Sequence, residues 1–356
     1  MSEQPLLEQG IRPGRNCPMH YRYSASVFHR SPVLEADILY VIGGLYGNVE
    51  ALNAVLAMKR LEERRGAGVT LFFNGDFNWF NVNLDDFKII NDTVLEHAAI
   101  QGNVEAELGE SGHGVGCGCA YPTSTSDEVV EHSNRIMDRL RATAGHFQGL
   151  TDRLSVLPMH ATVTVGDKRI GIVHGDPVSL AGWAFAVENL TPPAECKASD
   201  GDASVRLAGY LREAQVDAFC STHTCLPVMR VLRIDDDRET VIANNGAAGM
   251  PNFQSTRYGL LTRISTRHGT PPRDSLYGVT VGNLRIDAVP IYYDHDAWLR
   301  RFTRNWGPQS PAYLSYFRRL TTGPEHVIEQ AILGGVKRTF CLSTLLQDAA
   351  NSGAKR

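Results

Sequence analysis

The chain has 356 residues, 43% of them hydrophobic and 21% charged, the profile of a globular protein long enough to bury a full core. A formal net charge of −4 offers no basic surface for nucleic acid or an anionic membrane, and no run reaches the ~18 apolar residues of a membrane span. Seven cysteines, and a start (MSEQPLLEQGIRPGRN) lacking the basic and apolar segments of a signal peptide, predict a reducing, cytoplasmic setting.

In chain order, residues 1–36 read as an irregular arm. Its Cys17 and His20 have ligand-like spacing but are read as ordinary packing. A strand is expected over 37–42, then the glycine-rich turn Gly43-Gly44-Leu45-Tyr46-Gly47-Asn48. An amphipathic helix over 49–65, with Ala51, Leu52, Val55, Leu56 and Met58 on one stripe, leads to a strand from Val69 that ends in Asn74-Gly75-Asp76. This is a βαβ opening.

A helix over 86–96 and a short strand over 97–101 precede Gly102-Asn103-Val104-Glu105. Next comes a long glycine-rich loop holding His113, Cys117 and Cys119, the kind of loop that is usually functional. Thr125 and Glu128 offer a capping box for a helix to about 144. Strands are expected at 154–157, 161–165 and 169–173, the last two joined by a Gly166-Asp167 hairpin and ending at His174-Gly175-Asp176. A helix over 203–214 and a strand over 216–220 lead to Ser221-Thr222-His223-Thr224-Cys225, and a strand pair over 228–234 and 240–243 leads to Asn244. Past about 266 the pattern changes to a strand over 284–293 and helices over 296–305 and 311–320. The expected division is therefore an arm (1–36), a main domain (37–265) and a C-terminal extension of strand and helices packed on it (266–356).

Asp76, Asn103, His174 and His223 each stand beside a small residue at an expected strand or loop end. A carboxylate, an amide oxygen and two imidazoles make a mixed N/O donor set suited to Mn, Fe or Zn. Carboxylates and histidines at strand ends are common in isolation; four in series point to a metal.

These residues and their flanks resemble the motifs of the calcineurin-like metallophosphoesterase superfamily, which run D-x-H-G-N, G-D, G-N-H-[DE], H-G and G-H-T-H. Gly75-Asp76, Gly102-Asn103, His174-Gly175 and Thr222-His223-Thr224 follow them in order, and 244–251 is similar to a stretch after the fifth motif. The resemblance covers about 37–264. It implies an α/β fold, a β-sandwich flanked by helices in four αββα layers. It also implies phosphate mono- or diester hydrolysis by a metal-activated water, with a phosphorylated small molecule, nucleotide or phosphoprotein as substrate.

The departures cluster. Gly44 and Tyr46 stand where the first motif has Asp and His, Val104 replaces the His that assists the leaving group, and Cys225 replaces the last His. The resemblance implies that Asp76, Asn103, His174 and His223 hold one divalent ion as the catalytic set, whereas the other ion keeps only Asp76. Cys225 is either a thiolate ligand, which would restore a second ion, or a small apolar filler. Cys117, Cys119, His113, Cys17 and His20 are weaker candidates for that second ion. Glu105 and Asp176 read as solvated carboxylates, with the orientation of a ligand His as the alternative. Arg15, Arg22 and Arg257 are candidates for phosphate contacts but read as solvated. Two further functions stay open: a non-catalytic sensing or partner-binding relative, and thiol chemistry at Cys225.

Overall fold

In the computed structural model, residues 12–109, 115–191, 200–235, 238–266 and 274–339 are described. The strands are β1 (Leu34–Ala36), β2 (Ile38–Ile42), β3 (Val69–Phe73), β4 (Ala98–Ala99), β5 (His160–Val165), β6 (Lys168–Val173), β7 (Ala218–Ser221), β8 (Val228–Asp235), β9 (Arg238–Asn244), β10 (Gly259–Ser265), β11 (Tyr277–Val281), β12 (Leu284–Ile291), β13 (Ile332–Leu333) and β14 (Lys337–Arg338). They form two sheets, ordered β1-β5-β6-β7-β9-β8-β13 and β14-β11-β12-β10-β2-β3-β4. The helices are α1 (Val49–Glu63), α2 (Leu84–Val94), α3 (Asn103–Gly109), α4 (Asp127–Ala144), α5 (Gln148–Ser155), α6 (Val187–Leu190), α7 (Asp200–Ala214), α8 (His295–Asn305) and α9 (Pro311–Thr322).

Side-chain alternation along the central strands makes the layers. Leu39 and Val41 of β2, with Phe72 of β3, pack against Ile170, Ile172, Val241 and Ala243 between the sheets. The neighbours of opposite parity, Tyr40, Ile42, Leu71 and Phe73, pack outward with Leu52 and Val55 of α1. On the far sheet, Val173, Phe219 and Ile242 face Leu211 of α7 and Phe28. The result is the αββα sandwich that the resemblance implies. Fully burying each such side chain contributes about 1.5–3 kcal/mol. No helix among the described residues is long and apolar enough to cross a membrane.

Local expectations differ from the structure in several places. Residues 154–157 are no strand: Thr151 and Leu154 bury one face of α5 at helical spacing. Helix α4 is capped one residue later than expected, by the Ser126 hydroxyl accepting from Val129 N at 3.3 Å. The 97–101 strand shrinks to Ala98–Ala99, because Gln101 N turns away to Pro158 O. Part of the segment read as an irregular arm is ordered into sheet, with β1 pairing in parallel with β5. β10, which the sequence reading did not mark, is a central strand buried on both faces and therefore lacks alternation.

Two connections bring the last helices over the carboxyl ends of the strands. Arg301 of α8 bonds Asp86 at 2.6 Å, and Trp306 Nε1 donates to Phe80 O at 3.0 Å. Ser310 caps α9 by accepting from Tyr313 N, and Pro311 suits the first turn.

Candidate metal centre

The pairs β2-β3, β3-β4, β6-β7 and β7-β9 all run parallel, so their carboxyl ends meet at one edge of the sandwich. That edge is where open parallel sheets place ligands. Asp76 follows β3, Asn103 follows β4, His174 follows β6 and His223 follows β7.

Gly75 makes the approach possible. Its φ is +96°, and a β-carbon there would lie 2.6 Å from Gly102 Cα and 2.7 Å from His174 Nδ1. Asp76, also left-handed at φ 54°, then turns its carboxylate into the cleft, where Oδ1 accepts from Val104 N at 3.1 Å. Tyr46 (φ 54°) and Cys225 (φ 62°) share this conformation, which costs a non-glycine residue about 1–2 kcal/mol. The strain gathers at the site.

The orientation of the two imidazoles is set by backbone carbonyls. His174 Nδ1 bonds Asn74 O at 2.9 Å, and His223 Nε2 bonds Cys119 O at 3.1 Å. A carbonyl only accepts, so these nitrogens carry the protons, and His174 Nε2 and His223 Nδ1 present lone pairs. Those two nitrogens lie 3.2 Å apart. His174 Nε2 is also 3.1 Å from Asn103 Oδ1 and 3.4 Å from Asp76 Oδ1. The Asn103 amide is turned by its Nδ2, which donates to Cys117 O at 2.8 Å. Asp76, His174 and His223 offer atoms all within 4.8 Å of one another.

Four electron-rich atoms therefore converge on one buried point. Without a cation, that arrangement repels itself; a divalent ion with N/O preference fits the donor set. The electrostatics agree for His223 and Asp76, while the ion-free site draws a proton toward His174. Burial, then the neighbouring His174, pushes His223 down to about 3, which keeps its imidazole neutral. Burial opposes the charge on Asp76, but the His174 and His223 rings and the Val104 N–H hold its carboxyl below the usual range. Burial also opposes charge on His174, yet the Asp76 carboxylate raises it.

Glu105 and Asp176 are not the solvated carboxylates expected from sequence. Glu105 is fully buried and accepts from the backbone N–H groups of Asp76 (2.7 Å), Gly102 (3.0 Å) and Asn78 (3.2 Å). It shapes both ligand-bearing loops rather than a histidine ring, and burial and the Asp76 charge push it up to about 7. Asp176 is buried too and accepts from Val178 N and Ala184 N, closing its own turn.

The other half of the cleft is filled. The Tyr46 hydroxyl lies 2.9 Å from Cys225 Sγ, which also bonds His223 O at 3.3 Å. Burial raises both Cys225 and Tyr46, and among the described residues no imidazole nitrogen contacts the thiol. The Cys117 and Cys119 thiols are buried; their carbonyls orient Asn103 and His223, and Cys119 Sγ also accepts from Asn103 Nδ2 at 3.5 Å. Cys17 Sγ rests 3.2 Å from Ser179 Oγ, and His20 lies edge-on to Tyr21. Arg15 ties the 122–127 segment, and Arg257 pairs with Asp296. Arg22 bridges Ser179. His113 lies outside the described residues.

A cavity of about 260 Å³ opens over Asp76, Asn103 and His223. Sequence reading missed most of its walls: Trp79, Tyr121, Trp183, Ser315, Tyr316 and Arg319. The last three come from α9, nearly a hundred positions beyond His223, with no local motif to mark them.

No family model matches this sequence, and no curated protein does either. Among solved structures, the fold is similar to that of the hypothetical protein PH1004 from Pyrococcus horikoshii OT3, with a TM-score of 0.54 and 13% identity over 81% of this chain and 99% of that one. A metallophosphoesterase from Sphaerobacter thermophilus aligns over 81% of this chain and 100% of its own at a TM-score of 0.47 and 15% identity.

Proposed function

We propose that this chain, which carries a metallophosphoesterase-like fold, is a metal-dependent hydrolase of phosphate esters with a single ion held by Asp76, Asn103, His174 and His223. One observation carries the reading. Both imidazoles are pinned by backbone carbonyls so that His223 Nδ1 and His174 Nε2 meet at 3.2 Å, with Asp76 Oδ1 and Asn103 Oδ1 beside His174 Nε2. A divalent ion there would supply Lewis-acid polarisation of a phosphoryl oxygen and activation of water.

The chain's own residues do the rest. Asn74 O and Cys119 O fix the imidazole tautomers, and Glu105 holds the loops after β3 and β4 in register. The aromatic walls would restrict bulk water over an ion held there. Val104 offers no proton to a leaving group, which favours esters with good leaving groups. A phosphorylated small molecule or nucleotide suits the cavity's size better than a phosphoprotein.

A second reading, a non-catalytic sensing module, is favoured by Tyr46 and Cys225 closing the other half of the cleft. Assays on p-nitrophenyl phosphate and its bis ester with Mn, Fe and Zn separate the two. Turnover that depends on added metal and is lost in His174→Ala supports the hydrolase. Bound metal with no turnover on either ester favours the sensor.

A further inference from the structure

We infer that Arg319 of α9 is the anion-binding cation of this site, standing opposite the metal-ligand cluster and gripping the phosphoryl group of the substrate. The inference rests on the hydrolase reading for its substrate, and on the following geometry for its residue.

Arg319 lines the same cavity as Asp76, Asn103 and His223. Its guanidinium is fixed rather than waving: Nη2 donates to Cys225 O at 2.6 Å and Nε to Pro251 O at 3.3 Å. Among the described residues Arg319 has no carboxylate partner, and Nη1 has no hydrogen-bond partner. A half-buried guanidinium with two nitrogens clamped and the third free is preorganised for an oxyanion, because its orientation cost is met before the ligand arrives. Trp79, Tyr121, Trp183 and Tyr316 form the surrounding walls, and such apolar surroundings strengthen a charge–charge contact relative to water.

The charges also favour an anion. A divalent ion less the Asp76 carboxylate leaves one net positive charge. The guanidinium adds a second, offset in part by Glu105 behind Asp76, so the cleft keeps positive charge for a phosphate anion. Tyr46 and Cys225, bonded to each other, contribute none in their protonated forms. The clamp on Cys225 O places this cation beside the Tyr46–Cys225 pair, so a guanidinium occupies the side of the cleft where those neutral groups stand.

The test is calorimetric titration of inorganic phosphate into the full chain, both Mn-loaded and metal-free, for wild type, Arg319→Gln and Arg319→Lys. Arg319→Gln is expected to weaken phosphate binding about tenfold or more in either form while Mn uptake stays at the wild-type level. Arg319→Lys, a point charge without the planar fork, recovers part of the loss. Equal phosphate affinity in wild type and Arg319→Gln overturns the inference and makes Arg319 only a tie between α9 and two loops. A wild type that takes up no Mn sinks the metal reading, and the metal-free affinity ratio then decides on Arg319 alone. Should Arg319→Gln not fold, wild-type protein treated with an arginine-selective dicarbonyl gives the answer by peptide mapping. Phosphate protects Arg319 if the inference holds, and unchanged labelling overturns it.

Discussion

The ring of Tyr46 covers Gly44: a β-carbon added at Gly44 would lie 2.6 Å from the Tyr46 hydroxyl oxygen. Both positions differ from the motif they resemble, and they differ together. The phenol fills space that any side chain at 44 would need, and its hydroxyl is satisfied by Cys225 Sγ. Three of the four departures, Gly44, Tyr46 and Cys225, thus form one packed unit.

That unit predicts energetic coupling. Gly44→Ala should cost about 1–3 kcal/mol by overpacking, and the cost should largely vanish in a Tyr46→Ala background. Urea denaturation of the four members of the cycle measures this. Additive effects would mean that the ring does not constrain position 44.

Glu105 organises the loops that carry Asp76 and Asn103. Glu105→Gln turns a donor toward backbone N–H groups that need an acceptor, and should destabilise the protein by about 1–3 kcal/mol with reduced metal affinity. The midpoint of denaturation and a metal titration report the two effects. An unchanged midpoint would relegate Glu105 to a bystander.

The glycine-rich loop acts through its backbone. Cys117→Ala and Cys119→Ala, which keep the carbonyls facing Asn103 and His223, are expected to retain the metal even though they lose some packing. Loss of metal in either variant would instead implicate the thiols. Absorption of a Co-substituted protein distinguishes thiolate from N/O ligation directly.

The metal-free protein should weaken in mild acid. Burial lowers His97, His160, His295 and His326, and burial with His174 lowers His223. The unfolded chain therefore binds more protons than the folded one once pH falls below the ordinary histidine value of 6.5, so stability drops as pH decreases. His174, Glu105 (pushed up to about 7) and Asp176 are raised and act in the opposite direction, but the five lowered histidines outnumber them. Urea midpoints of chelated protein at about pH 7.5 and about pH 5.5 should differ, the acid one being lower. A flat profile would show that these rings are charged or solvated in the fold.

The sandwich was legible because alternation and strand-end chemistry are local signals. The VTLFF strand and the turn after it, or the IGIV strand before His174, announce themselves over a few residues. The four convergent donors were legible for the same reason, as each follows its own strand. What was hidden depends on contacts far apart in sequence. Burial of Glu105 and Asp176 follows from the backbone N–H groups that surround them. The role of Cys119 lies in its carbonyl, which every residue type has. Arg319 looks like any helical surface arginine until α9 is docked over the cleft. Residues 154–157 misled because a short apolar run fits the last turn of a helix as well as a strand.

The central claim is that four convergent lone pairs hold one ion, and metal content per chain tests it most directly. After loading with Mn and desalting, wild type should retain about one ion per chain, while His174→Ala and His223→Ala, with unchanged circular dichroism, should retain almost none. A wild type without bound metal, or variants that keep the wild-type content, would contradict the account.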